Sequence, residues 1–443
     1  MPGPSVVPVR GDEEKPTDAD VVVIGGGIIG AATALELAER GVRVVLCEKG
    51  VIGGEQSSRN WGWVRIAMRD PREVPLMAES LRIWDNLDRR TGRDTGFVRA
   101  GIIFTCASAK ELEEHDRWRR HLEPLQIEAR MLTPAEFRNM NPGSRLDLHG
   151  ALYTPADGRA EPQRAAPAIA EAARDKGATI LTECAVRGIE LSAGAISGVI
   201  TERGPISCRA AVLAGGAWSN LFSGRFGIHF PQLKVMNTVL RTHPVEGGPE
   251  QTMWAKDFAF RKRQDGGYTI ASGYDNIVDI VPASFRYGRQ FLPAFRSEWR
   301  SLRFRLGARF IDEARIPRQW SMDEASPFEY NRILDPVPSK DFSNRAFAEL
   351  RKAFPAFEQA RIAQRWAGYI DVTPDAIPVI SEVESTPGFF IATGFSGHGF
   401  GIGPAAGRLM ADLVTGRMPV VDPTAFRLSR FSDGSKISLM TGH

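Results

Sequence analysis

The chain has 443 residues, more than one hydrophobic core usually accommodates, which predicts two domains sharing one polypeptide. Its 56 Lys+Arg against 53 Asp+Glu leave a net charge of +3, no electrostatic footprint for nucleic acid, so the expected partner is a small molecule. Four scattered cysteines, Cys47, Cys106, Cys184 and Cys208, have no CxxC spacing; this argues against a disulfide framework or a metal site and predicts reduced core thiols in a cytoplasmic protein.

Residues 1–18 are rich in proline and charge and lack the continuous apolar run of a signal peptide, so they read as a mobile tail. Asp20 opens the buried strand "DVVVI", which passes through a glycine turn into a helix from about Ile28 to Glu39; "VRVVLCE" follows as a second strand. Val21 to Ala38 is the most apolar stretch, but four glycines and Glu36 interrupt it, which excludes a membrane span. Further on, "EPQRAAPAIAEAARDKGA" reads as a helix closed by Gly177 and "AAVLAGGAWS" as a strand entering a glycine turn. Near the end, "GFFIATGFSGHGFGIGPAAGRLMADLVTG" reads as strand, glycines and helix, with Pro404 in the first helical turn. The pattern predicts a nucleotide-binding domain assembled from 19–64, 151–221 and 366–443, with a substrate domain inserted at 65–150 and 222–365.

Within the second insert, Arg286 to Arg318 holds nine arginines, Arg300 among them, against Glu298, Asp312 and Glu313. Phe295, Trp299, Leu302, Leu306 and Phe310 recur there at helical spacing. A basic amphipathic helix is expected, with its apolar face buried and its arginines solvated; docking to a partner or membrane is the alternative.

Gly25, Gly27 and Gly30 form GxGxxG between a strand and a helix. Gly25 permits the turn, Gly27 lets backbone approach a pyrophosphate, and Gly30 lets the helix pack on the strand, with the phosphates on the helix's positive end beside Ile28 and Ile29. Glu48 closes the second strand, where a carboxylate accepts from adenosine ribose hydroxyls and repels a 2′-phosphate, so the ligand is FAD or NAD. The second glycine loop and helix, from Gly397 onward, favour FAD, because a reduced flavin carries negative charge that a helix N-terminus stabilises.

Six motifs in order, "VVVIGGGIIGAATALELAERGVRVVLCEK", "GGEQSSRN", "DGRAEPQRAAPAIAEAARDKGA", "AAVLAGGAWS", "RWAGYIDVTPDAIPVIS" and "GFSGHGFGIGPAAGRLMADLVTG", resemble the FAD-dependent D-amino acid oxidase and sarcosine (glycine) oxidase family, nearest its secondary-amine branch. The resemblance implies an α/β (α+β) fold, a Rossmann-type FAD-binding domain with an interleaved antiparallel-sheet substrate domain. It implies that Lys49, Ser57, Ser58, Asn60, Trp61 and Gly62 lie along the cofactor and that Val186 meets the adenine. Ala214, Gly215 and Trp218 would back the cofactor, while Gly397, His398, Gly399, Phe400, Gly401 and Ile402 would line the flavin. Arg65 matches the arginine that grips the substrate carboxylate, His398 the active-site histidine, and Tyr274 is expected on a strand over the flavin.

The implied reaction is hydride transfer from the carbon beside an amino acid or amine nitrogen to flavin N5, the imine then hydrolysing to an oxo acid, with oxygen or an electron carrier as acceptor. "WAGYIDVTPD" lacks the cysteine that binds FAD covalently in related sarcosine oxidases, so the FAD is expected to be non-covalent. Gly401 and Ala271 stand where those oxidases carry positive charges, which weighs against sarcosine and against oxygen. The alternatives are a membrane-associated D-amino acid dehydrogenase using quinone and a flavin-binding protein without turnover.

Overall fold

The computed structural model describes residues 3–299 and 302–439, so Arg300 of the basic run lies outside it. Val21–Ile24 is apolar at every position because it runs down the middle of a parallel sheet covered on both faces. Among the described residues this sheet has six strands, in the order Val379–Glu382, Phe389–Thr393, Ala210–Leu213, Val21–Ile24, Val44–Cys47, Thr179–Leu181, with only the first pair antiparallel. Val21 and Val23 face the helices Ile28–Ala38, Pro162–Asp175 and Gly399–Val414. Val22 and Ile24 face a three-stranded sheet, Val186–Ser192, Ala195–Thr201 and Gly204–Ser207, together with Trp218 and Phe222. Gly407 is what lets the last long helix reach the first: a Cβ there would stand 2.5 Å from the Ala32 methyl.

A second sheet, of ten strands among the described residues and mostly antiparallel, forms the other half. Its longest pairing joins Leu233–Thr242 to Ile362–Val372, and its far edge carries Ile102–Cys106, Gly150–Thr154 and Arg130–Leu132. Most of Gly150–Thr154 and most of Ile362–Val372 fall in segments that the sequence assigns to the nucleotide-binding half, yet both strands hydrogen-bond into this sheet. Chain continuity at the crossings hides which sheet a strand joins.

Two expectations change. Residues 3–18 are not a free tail: Val7 N donates to Gln163 O at 3.0 Å, Asp12 N to Ile180 O at 2.7 Å, and Asp18 bridges to Ser207. The basic run is not one helix either, but a helix Pro282–Glu298, a strand Leu302–Arg305 and a helix Ala308–Arg315. The strand is drawn out by parallel pairing with Asn276–Asp279 and by the two bonds from Arg305 to Asp279, at 2.6 and 3.0 Å. Most of the run's large apolar side chains are exposed, Phe285, Leu292, Phe295, Trp299, Phe304, Leu306 and Ile311 among them, while Tyr287 and Phe291 are buried.

Candidate active site

A cavity of about 1310 Å³, counting its open mouth, lies at the carboxyl ends of the parallel strands, where a doubly wound sheet leaves a crevice. Gly25, Gly27, Ile28, Ile29, Glu48, Lys49, Ser57, Asn60, Val186, Ala214, Gly215, Trp218, Gly397, Gly399 and Phe400 all border it. Gly25 has φ +109° and a Cβ would meet Ala214 O at 2.5 Å, so this turn requires glycine. Half-buried Glu48 accepts from Gly26 N and Gly50 N, each at 2.7 Å, and a carboxylate has further lone pairs for ribose hydroxyls. Ile28 N donates to Ser57 Oγ at 2.8 Å, so the serine caps the first helix from a distance and presents its own hydroxyl at the phosphate end. Beyond Glu48 the cavity closes on Trp218, whose Nε1 donates to Glu55 at 3.1 Å while Lys49 Nζ sits 4.5 Å from its ring.

Four expected cofactor residues border no cavity. Ser58 is buried and donates to Glu55 O, Gly62 packs against Arg261 and Ala160, and Ile402 belongs to the core. Gly30 is a packing glycine, with Gly25 O 1.9 Å from where its Cβ would be. Pro404 lies inside the helix Gly399–Val414, not in its first turn, because the helix begins at Gly399.

A second cavity of about 2600 Å³, counting its open mouth, joins the first through Gln56, Arg59, Asn60, Gly397 and Phe400. It lies between the two sheets and holds Trp61, Arg65, Tyr274, His398 and Gly401. A two-stranded ladder, Trp63 opposite Arg159 and Val64 opposite Gly158, delivers Arg65 to it. Aromatic rings make a wall: Trp61 to Trp63 at 5.2 Å, Phe104 to Trp254 at 5.7 Å and Trp254 to Tyr274 at 4.9 Å between centroids. Tyr274 stands beyond the end of the strand Tyr268–Ala271, in the turn that follows.

Arg69, Glu73 and Asp157 are buried here, and Arg65 and His398 half-buried. Burial, then Arg69, lowers Arg65 to about 9, still cationic at neutral pH; its guanidinium lies 5.3 Å from the Phe104 ring and donates to Ala67 O. Asp157 accepts from Ile66 N at 2.6 Å and Ala67 N at 3.1 Å, tying down the backbone after Arg65, and burial raises it to about 7. His398 is held well below the usual imidazole range by burial and by Arg69 and Arg65, so it is neutral and brings no positive charge. Arg69, Glu73 and Asp157 are absent from the sequence expectations. The one trace of Arg69 and Glu73 in the sequence is their four-residue spacing after Arg65 in "RIAMRDPRE"; Asp157 has none.

Among the described residues ten buried side-chain polar atoms have no hydrogen-bond partner, and five of these border the second cavity: Gln56 Oε1, Arg59 Nε, Trp63 Nε1, Arg69 Nη1 and Glu73 Oε1. Buried polar atoms are normally satisfied, so this concentration marks a place built around an occupant.

Residues 20–413 match the model of the FAD dependent oxidoreductase family, DAO, and the chain belongs to it. It is an FAD-dependent oxidoreductase, and the glycine-lined cavity with its ribose-height carboxylate fits that cofactor. The structure of L-amino acid deaminase from Proteus myxofaciens in complex with anthranilate is similar, with a TM-score of 0.94 and 34% identity over 98% of this chain and 100% of that one. Glycine oxidase of Geobacillus kaustophilus is 28% identical over 93% of this chain and 97% of its own length. Mitochondrial sarcosine dehydrogenase of Mus musculus is 26% identical over 97% of this chain, which spans only 43% of that relative.

Proposed function

We propose that the protein oxidises the C–N bond of an α-amino acid with an aromatic or large apolar side chain, giving an imine that hydrolyses to the oxo acid. One observation carries this reading: partnerless Arg69 and Glu73 atoms stand in an aromatic-walled cavity continuous with the cofactor crevice. The similarity to a deaminase holding anthranilate, an aromatic ring bearing an amine and a carboxylate, supports it.

Bound FAD supplies the hydride acceptor, N5 of its ring system. Glu48 would hold the ribose, Gly27 and Ser57 the phosphates, and Gly397 to Phe400 the flavin side, without covalent attachment, since only Cys47 of the four cysteines borders either cavity, beside Glu48. Arg65 would grip the carboxylate through parallel hydrogen bonds, with Asp157 fixing its loop. The aromatic wall would exclude water and take the side chain, while neutral His398 positions Glu73 through its 3.2 Å contact.

The exposed apolar side chains among arginines at 282–315 favour an electron acceptor held at a membrane surface over dissolved oxygen. No described helix is long and apolar enough to cross a membrane. The test is anaerobic mixing of the yellow protein with L- and D-amino acids, N-methyl amino acids and simple amines. Aromatic and large apolar amino acids are expected to bleach the flavin fastest; an inert flavin, or preference for small amines, defeats the proposal. Recolouring by a quinone in anionic vesicles faster than by air identifies the acceptor, and the reverse order makes it oxygen.

A further inference from the structure

Two of the partnerless atoms in the second cavity are of opposite sense. Arg69 is 2% exposed and its Nη1 is a donor without an acceptor; Glu73 is 0% exposed and its Oε1 is an acceptor without a donor. Leaving either buried and unbonded is costly, so the cavity is complete only with an occupant that offers an acceptor to one and a donor to the other. Glu73 stands at the N-cap of the helix Val74–Thr91, yet its carboxylate takes no hydrogen bond from that helix. Its Oε2 faces His398 Nδ1 at 3.2 Å, and Arg69 Nη2 donates to His398 O at 3.1 Å, which fixes both side chains against the loop before the last long helix. An α-amino acid carries the two complementary groups on one carbon.

We infer that Glu73 receives the amino group of the substrate and takes a proton from it, with Arg69 joining Arg65 on the carboxylate. The inference rests on the amino-acid reading above and names the residue that prepares the substrate. In the step, an N–H bond of the bound α-ammonium breaks, its electron pair stays on nitrogen, and the proton forms an O–H bond at Glu73 Oε1. Nothing is oxidised or reduced. The neutral amine that results has the lone pair needed to expel hydride from Cα, and the proton returns to solvent when product leaves.

The surroundings suit the task. Burial raises Glu73 to about 7; Arg69, Arg65 and Arg72 oppose burial, and Asp70 reinforces it. His398, neutral for the reasons given, does not compete for the proton. A carboxylate poised near neutral pH accepts and releases a proton readily.

The experiment is the pH profile of anaerobic flavin reduction in the holoenzyme, with two amino acids whose amines differ in basicity. Reduction should rise with pH through a break near neutrality that stays in place for both substrates, because the enzyme sets it. Glu73→Gln should slow reduction roughly a hundredfold, with a break that now follows the substrate amine. Benzoate, a carboxylate without an amine, should perturb the flavin spectrum of wild type and variant at the same concentrations. A wild-type break that moves with the substrate, or a variant that keeps the neutral break, overturns the inference while leaving amino acid oxidation standing. A wild-type flavin that no amino acid reduces overturns both. If Glu73→Gln fails to retain FAD, the wild-type comparison of two amines decides alone.

Discussion

Arg261 and Arg69 are both almost fully buried, and both stand near a carboxylate, but the two groups are built differently. Arg261 meets Glu161 with two hydrogen bonds, at 2.8 and 3.0 Å, and its Nε donates to Trp61 O at 2.7 Å; Glu161 also accepts from Gln264 N. Burial pushes Glu161 up, but Arg261 and then Arg263 outweigh it and hold the carboxyl at about 2. Arg69 and Glu73 instead keep a free donor and a free acceptor, and Glu73 is lifted to about 7. One group is closed, spanning from the strand Ala259–Lys262 of the large sheet to the start of the helix Pro162–Asp175; the other is left open toward a cavity. A saturated buried pair fixes how the halves meet, whereas an unsaturated one is completed by what enters.

The largest expected effect lies on the closed side. Glu161→Ala leaves Arg261 buried and unpaired, a loss of about 3 to 5 kcal/mol, seen as a lower thermal midpoint of the holoprotein. The linkage has a definite sign. Because the folded pKa of Glu161 lies below its unfolded value, its stabilisation is present above about pH 4.3 and is lost as pH falls toward about 2. Wild type should therefore lose stability across that window more steeply than the variant; parallel acid-denaturation curves would show that the pair contributes nothing.

Next comes the open side. Arg65→Ala should cost about 1.5 to 3 kcal/mol in reduction by carboxylated substrates, roughly tenfold or more in rate, while the thermal midpoint changes little because, among the described residues, no carboxylate bonds to Arg65. Unchanged reduction kinetics would remove Arg65 from carboxylate binding.

What the sequence made legible divides along the same line. Gly25 and Glu48 could be singled out because the turn and the strand end that carry them have local signatures; Ser57 and Arg65 were expected only through the family resemblance. Arg69 and Glu73 look like ordinary surface charges in a linear reading; only the packing of Trp118, His398 and the first turn of Val74–Thr91 around them buries their heads. Glu161 and Arg261 are a hundred residues apart, so nothing local announces their pairing. The basic run misled for the opposite reason: a helical period of Phe and Trp was present, but pairing with Asn276–Asp279 drew its middle into a strand, and Phe295, Trp299 and Leu306 stayed exposed.

The smallest effect should come from a residue that belongs to neither group but steadies the open one. Asp157 is fully buried and spends both oxygens on the amides of Ile66 and Ala67. Asp157→Asn keeps one acceptor and turns an amide N–H toward a backbone N–H, so one of those two donors loses its partner, at about 1 kcal/mol. The loop between Arg65 and Arg69 then loosens without losing either guanidinium. A KM raised several-fold with kcat nearly intact is expected in steady-state assays, because binding geometry is degraded while the proton-accepting carboxylate is untouched. An equal fall in kcat and kcat/KM would instead assign Asp157 a part in the chemical step, and the division between steadying and reacting residues would have to be redrawn there.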